Sequence, residues 1–411
     1  KFKGYKVIQV MNLTDVDDKT IKGSRTEGVS LAEFTAKYIA AFFEDLDRLG
    51  IERAEFYPRA TEHIGEMVAL VKKLLKKGYA YESGGSIYYD ISKFKEYGKL
   101  SGIQLEELKK GARVAADEYI KEEATDFALW KAWEESDGPV FWETELGKGR
   151  PGWHIECSAM SMKYLGESFE IHTGGEDNIF PHHENEIAQS EAATGKQFVR
   201  YWLHCGLLQV GGQKMSKSLG NIITPRELVA IGTDPRAIRY LLISAHYRTQ
   251  LNFTAESLKS AEQTVQGLVD FAHKVSQLEV TGRYNKKLQS LTRATRRELI
   301  RAMDDDLDTP RALAAIHELV RETNKVIDQG RASRRNLKEI YDQISEFDMV
   351  LGIIQHKREK LPPDLLRLIR AREEARLRHD WIAADELRNK LLEQHIALED
   401  TPHGVIWRRI H

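Results

Sequence analysis

Gly211-Gly212-Gln213-Lys214-Met215-Ser216-Lys217-Ser218-Leu219-Gly220-Asn221 divides this chain into two kinds of pattern, and its reading settles the fold class. Upstream, short β-rich runs alternate with helical repeats, as in a parallel sheet covered by helices. Downstream of about residue 225, helical periodicity takes over, glycines thin out and arginines become frequent. The segment itself joins two lysines three apart to small hydroxylated neighbours. Such a loop can wrap a triphosphate and neutralise the charge that builds up during attack at phosphorus; the alternative is a solvated Lys/Ser loop. No Walker-type glycine loop is present, which excludes the P-loop NTPases.

Outward from this point, Val7-Ile8-Gln9-Val10-Met11 reads as a strand running into Asn12-Leu13-Thr14-Asp15-Val16-Asp17-Asp18, a polar strand end of the kind where α/β proteins bind ligands. Asp15, Asp17 and Asp18 invite comparison with a magnesium cluster, but they are read as groups that orient the strand end or pair with a lysine. Ser30-Leu31-Ala32-Glu33 has the spacing of a capping box, and the helix it opens stops at Gly50. A second helix spans about Thr61 to Lys77. Tyr79–Tyr89 reads as a hairpin on Ser83-Gly84-Gly85, opening a polar, irregular insertion that reaches about Gly152. The core resumes at Trp153, with strands expected at Ser168–His172 and Leu207–Val210. Leu361-Pro362-Pro363 marks a hinge, followed by a helical pair to about Gln394 and a β-like run at Ile406-Trp407.

The 411 residues carry 61 Lys+Arg against 63 Asp+Glu, so the overall balance offers no electrostatic case for a nucleic-acid partner. Residues 281–340 are locally basic, with 14 Lys+Arg against 9 Asp+Glu. No apolar run is long enough to cross a bilayer, and two cysteines, Cys157 and Cys205, do not make a disulfide framework. A cytoplasmic, soluble protein is the expectation. His182 and Glu186 stand four apart, which puts both on one helix face, and with Cys157 they make a plausible sulfur, nitrogen and oxygen donor set for zinc; a merely polar face is the alternative.

The pentapeptide Lys214–Ser218 resembles the signature of the class I aminoacyl-tRNA synthetases. The segments Gly149–Met160, His172–Asp177, Phe180–Glu186, Asn12–Lys19, His246-Tyr247-Arg248 and Met303–Asp306 with Thr309-Pro310 resemble the cysteinyl-tRNA synthetase family in order and spacing, over essentially the whole chain. The resemblance implies a Rossmann-type parallel-sheet catalytic domain with an insertion, then an α-helical bundle and a small C-terminal anticodon-binding domain. The corresponding boundaries are 1–78 and 153–225 for the catalytic halves, 79–152 for the insertion, 226–255 for a stem-contact linker, 256–355 for the bundle and 356–411 for the C-terminal domain. It further implies one Zn2+ held by Cys157, His182 and Glu186, able to tell a cysteine thiolate from the hard hydroxyl of serine. Thr14, Trp153 and His172 fall at the amino-acid pocket. Gly174, Gly175 and Asp177 fall at the nucleotide, and Lys214 and Lys217 act on the ATP phosphates, with Mg2+ accompanying ATP.

At the C-terminal end, residues 356–411 hold 12 Lys+Arg against 10 Asp+Glu, so specific contacts and not bulk attraction must carry any recognition. The resemblance assigns this end to the anticodon of tRNA-Cys, through Arg376, Asp385, Asp400 and Trp407; Trp381 is read as the core of the helical pair. The expected activity is ATP-dependent activation of L-cysteine and transfer to the 3′-terminal adenosine of tRNA-Cys, by a monomer. Two rivals are a cysteine ligase acting on a sugar amine and a non-catalytic RNA-binding paralogue. Family members begin with a further strand and a helix bearing a His-Ile-Gly-His type motif and a first cysteine ligand. Neither lies in this sequence, which opens Lys1-Phe2-Lys3. The chain is therefore expected to be truncated and to activate cysteine poorly by itself.

Overall fold

The computed structural model describes residues 1–103, 126–216, 219–354, 361–401 and 404–409. The chain divides into two compact units: Lys1–Leu207 with Arg248–Gln250, and Leu208–Tyr247 with Leu251–His411.

In the first unit, helices α1 (Asp18–Glu27) and α2 (Leu31–Arg48) each begin at a capping box, on Asp17 and Ser30. The Ser30 hydroxyl accepts the amide of Glu33 while Glu33 reaches back to the Ser30 amide, satisfying donors a helix start would otherwise orphan. Helix α3 (Ile64–Lys76) buries Met67, Leu70, Val71 and Leu74, spaced for one face. The expected strand at residues 7–11 is an extended run held by isolated parallel bridges, Val10 to Phe56 and Leu13 to Arg59. Met11 and Leu13 amides donate to the carbonyls of Phe56 and Pro58.

The stretch expected to be irregular is instead a five-stranded antiparallel sheet, in the order β1 (Ala80–Ser83), β2 (Ser86–Tyr89), β3 (Phe127–Ala132), β5 (Gly147–Pro151), β4 (Trp142–Thr144). Gly84 and Gly85 both take positive φ, 59° and 81°, as the tight turn of a twisted hairpin requires. Phe127-Ala128-Leu129-Trp130 is buried on both faces, which is why it lacks the alternation that marks a half-exposed strand. Ile87, Tyr89, Phe127, Leu129 and Trp130 join Met67, Val71, Ile155 and Ala188 in one core, so the sheet is packed on the helices and is no mere surface loop.

Helix α4 (Trp153–Leu165), strand β6 (Phe169–Gly175), helix α5 (Glu184–Thr194) and strand β7 (Val199–Cys205) complete the unit. β6 and β7 pair in parallel, with Phe169 opposite Val199 and Gly175 opposite Cys205. The β6–α5–β7 order is the crossover of an α/β sheet.

In the second unit, β8 (Leu208–Val210) pairs in parallel with β10 (Leu251–Phe253) and antiparallel with β9 (Gln213–Lys214). Helices α6 (Pro225–Ala230) and α7 (Pro235–Ile243) lead to a bundle of α8 (Ala255–Gln277), α9 (Lys286–Asp304), α10 (Thr309–Asp328) and α11 (Arg334–Leu351). Its core runs from Val265 through Leu299 and Ile316 to Phe347. Arg236 Nη1 donates to the Ile354 carbonyl at 3.0 Å and Arg239 Nη2 to that of Val350 at 3.1 Å, which satisfies groups at the C-terminal end of α11. Helices α12 (Pro363–Leu377) and α13 (Trp381–Glu393) pack with the hairpin β11 (Ile396–Thr401) and β12 (Gly404–Arg409) around Leu365, Ile369, Leu391, Ile396, Leu398 and Trp407. Among the described residues, no helix is long and apolar enough to cross a membrane.

Candidate metal centre

Helices α4 and α5 are buried almost all round, and a polar seam locks one to the other. Gln189 Nε2 donates to the His154 carbonyl and to Ser158 Oγ, both at 2.6 Å, and Ser190 Oγ lies 2.9 Å from Ser158 Oγ. Buried side-chain hydrogen bonds of this kind fix one relative register of two helices, because slipping by a turn would orphan each partner. That register carries Cys157, on α4, to Glu186 in the first turn of α5 and to His182 in the helical turn Ile179–His183 that leads into it. Donor atoms of the three lie within 4.8 Å of one another.

Glu186 is fully buried, and neither of its carboxylate oxygens receives a well-directed hydrogen bond. The nearest cationic candidates are His182 Nε2 at 3.0 Å and His172 Nε2 at 3.6 Å from Oε1. Burial works to raise the Glu186 pKa, but these two imidazoles outweigh it and hold the carboxyl well below its usual range. Conversely, burial with the neighbouring Glu186 and Glu156 carboxylates pushes the Cys157 thiol well up. Burial opposes charge on His172, and Glu186 again wins and raises it. A buried anion short of donors, beside a thiol and two imidazoles, is stabilised by one thing that all of them accept, a cation. A sulfur, nitrogen and oxygen set suits zinc. The residues therefore fit a metal ion on their own chemistry.

Around this centre the structure gathers three of the expected pocket residues. Asn12 Nδ2 reaches Thr14 Oγ1 at 3.2 Å and Cys157 Sγ at 3.6 Å, so Thr14 stands one residue's reach from the thiol. The Trp153 indole lies against the His182 ring, centroids 3.9 Å apart, and His172 packs edge-on to His183. Sequence reasoning missed the residues behind them. His154 Nδ1 is 2.9 Å from His182 Nδ1, and His183 Nδ1 is 2.8 Å from His204 Nε2. Burial pushes His183 down to about 3 and drives His154 well down also, so both are neutral imidazoles. Their only signal in the sequence is that histidines recur at 154, 172, 182, 183 and 204.

At Gly174 and Gly175 the expected reason for glycine was close approach of a nucleotide, and the structure supplies a nearer one. A Cβ on Gly174 would fall 2.6 Å from the His183 ring, and one on Gly175 would fall 2.4 Å from the carboxylate of Asp177. Asp177 itself is exposed in the turn after β6. Of the three N-terminal carboxylates, Asp18 pairs with Lys131, as read, and with Arg150, and Asp15 ties the strand end to the amide and hydroxyl of Thr61, whereas Asp17 caps α1, a role the sequence reading did not give it.

In the second unit, Lys214 ends β9 and its loop is clamped by Asn221, whose Nδ2 donates to the Lys214 carbonyl at 3.1 Å and whose Oδ1 accepts the Ser216 amide at 2.8 Å. Lys217 lies outside the described residues. Near the C-terminus, Asp400 accepts from both Arg372 and Arg376, and Asp385 is exposed on α13. The two tryptophans trade places relative to expectation. Trp407 is 8% exposed and packs in the small core, so its ring face is not open to a base, whereas Trp381, expected inside, is 54% exposed. Trp381 begins α13, one residue past the Asp380 cap, with the Arg376 guanidinium 5.7 Å from its ring centroid and the His379 ring at 5.8 Å.

Residues 1–263 match the family described as tRNA synthetases class I (C) catalytic domain, residues 298–355 the DALR domain, and residues 358–408 the cysteinyl-tRNA ligase anticodon binding domain. The cysteine–tRNA ligase of Protochlamydia amoebophila is 46% identical over 98% of this chain and 86% of its own length. That of Brachyspira hyodysenteriae is 46% identical over 99% and 87%. The chain belongs to the cysteinyl-tRNA synthetase family.

Its fold is that of the class I enzymes. A methionyl-tRNA synthetase of Mycobacterium tuberculosis, solved in complex with methionyl-adenylate, superposes with a TM-score of 0.61 at 15% identity, over 86% of this chain and 83% of that one. A putative arginyl-tRNA synthetase of Campylobacter jejuni gives 0.52 at 13% identity. The match at 358–408 weighs against the sugar-amine ligase, which has no use for an anticodon-binding module, and the two relatives above that match over nearly the whole chain, both cysteine–tRNA ligases, do not favour the non-catalytic paralogue.

Proposed function

We propose that this chain ligates L-cysteine to tRNA-Cys with ATP as the energy source, and that Cys157, His182 and Glu186 hold a zinc ion that selects the amino acid. The observation that carries the reading is Glu186, a buried carboxylate that receives no well-directed hydrogen bond and has a donor atom of a thiol and of an imidazole within 4.8 Å. When bound, the ion supplies a soft centre that prefers a thiolate to a hydroxyl, a discrimination no apolar wall achieves between groups so alike in size.

The chain's own groups divide the remaining work. Asn12 Nδ2, 3.6 Å from Cys157 Sγ, donates to the ligand sulfur and favours its thiolate. Thr14, Trp153 and His172 shape the amino-acid side and exclude water. Gly174, Gly175 and Asp177 serve the nucleotide, and Lys214 with Lys217 meets the phosphates of ATP and its Mg2+, stabilising charge as pyrophosphate leaves. Positioning carries the transfer to the terminal ribose, without a covalent enzyme intermediate. Arg376, Asp385 and Asp400 address the anticodon end, with residues 226–255 as a stem-contact linker and 256–355 as the bundle that spaces the two.

Equilibrium dialysis of the full chain, loaded with zinc, tests the selection step. Cysteine should be retained and serine at equal concentration should not, and Cys157→Ala should lose both zinc and cysteine. Equal retention of serine, or unchanged zinc in Cys157→Ala, refutes the assignment.

A further inference from the structure

The imidazole of His182 has two nitrogens with different neighbours. Nε2 lies 3.0 Å from Glu186 Oε1, on the side of the donor cluster, while Nδ1 lies 2.9 Å from His154 Nδ1. A nitrogen–nitrogen contact at that distance is a hydrogen bond, and it needs one N–H and one lone pair. Only two arrangements satisfy it. If His154 donates, neutral His182 carries its proton on Nε2, and that nitrogen cannot bind a cation. If His154 accepts, His182 carries its proton on Nδ1 and presents a bare Nε2 to the cluster.

We propose that His154 is a positioning residue for the metal ligand: its Nδ1 accepts the Nδ1–H of His182, which fixes the ligating tautomer and aims Nε2 at the site shared with Cys157 and Glu186. The inference rests on the zinc reading above.

Three observations support it. Metal-bound imidazoles as a rule give their second N–H to an acceptor, commonly a carboxylate or a carbonyl, and His154 stands where that acceptor belongs. The site already holds anionic donors in the thiolate and Glu186; a carboxylate behind His182 would add another charge, and an imidazole acceptor adds none. Finally, the His154 ring cannot swing away. It is buried, with Phe127 edge-on at 5.3 Å and Trp153 at 5.3 Å, and its carbonyl is held by Gln189.

The test measures zinc affinity of the full chain by competition with a chromogenic chelator, for wild type, His154→Leu and His154→Asn. Leucine keeps the bulk and removes the acceptor, so affinity should fall about 10–100-fold. Asparagine puts an oxygen at the position of Nδ1 along the side chain and should restore affinity to within about threefold of wild type. Zinc affinity that is unchanged in His154→Leu, or that falls as far in His154→Asn as in His154→Leu, overturns the proposal and leaves the three-ligand site standing. Wild-type chain that takes up no zinc overturns both. Nitrogen-15 spectra of histidine-labelled, zinc-loaded wild type give an answer independent of how the variants fold: His154 should carry its proton on Nε2 and His182 on Nδ1, and the reverse pattern refutes the inference.

Discussion

Replacing Glu186 by glutamine should abolish zinc-dependent stabilisation. The side chain is fully buried, and its amide isostere removes the anionic donor while filling the same space. Because the His172 and His182 imidazoles hold the carboxyl well below its usual range, its charge also stabilises the zinc-free fold, and the variant should be less stable with chelator. A ligand that binds only the folded state stabilises it by about 4 kcal/mol when present at about a thousand times its dissociation constant. In a unit of roughly 200 residues, each kcal/mol moves the midpoint by about 2–4 °C, so zinc should raise the wild-type midpoint by about 8–16 °C. Thermal unfolding followed by circular dichroism, with chelator and with zinc, would show the shift in wild type and its loss in Glu186→Gln. A variant that keeps the full zinc shift refutes Glu186 as a ligand. One that unfolds with chelator no lower than wild type refutes the pairing of Glu186 with the two imidazoles.

Leu129, fully buried at the centre of β3, should cost about 2–5 kcal/mol as alanine in urea unfolding; a loss under about 1 kcal/mol would mean the five-stranded sheet is not part of the core. Hydrogen bonding from Arg372 holds the Asp400 carboxyl below its ordinary value, against the effect of burial. A depressed folded-state pKa contributes stability that is present above the unfolded value near pH 4 and is lost as pH falls through the folded one. Acid unfolding of the C-terminal domain should therefore set in below about pH 4, and Asp400→Asn should flatten that dependence; because the Asp400 side chain is 36% exposed, the cost at neutral pH should be about 1–2 kcal/mol, less than for a fully buried pair. Trp381→Ala should weaken tRNA-Cys binding by about 1–3 kcal/mol in a filter assay if the exposed indole stacks on a base, with the melting temperature unchanged. Trp407→Ala should instead lower the melting temperature, and the opposite division between the two tryptophans would refute their placement.

Much of the fold is legible in the order of residues alone. The capping boxes, the Gly84-Gly85 hairpin and the helical character after residue 225 depend on neighbours within a few residues, and they stand in the structure. The pairing of His182 with Glu186 follows from one helical turn. Phe127-Ala128-Leu129-Trp130 is not legible in this way, because a strand covered on both faces has no polar alternation to betray it; nor is β7, whose Val199–Cys205 run mixes exposed and half-buried residues. The two tryptophans depart from expectation because an indole reads the same in a core and on a rim; only the packing of the small C-terminal core around Trp407 tells them apart.

Residue type and short spacing offered candidates for the chemistry, a dibasic loop for phosphate and a thiol, imidazole and carboxylate for a soft cation. It was the family resemblance of the sequence that chose these over a solvated loop and a polar face. Cys157 is 25 residues from His182, and nothing local dictates that they meet. That meeting is decided by Gln189, Ser158 and Ser190, which set the register of two buried helices. The same packing leaves Glu186 without a well-directed hydrogen bond and puts His154 behind His182, because buried polar atoms find their partners through the fold and not through the chain.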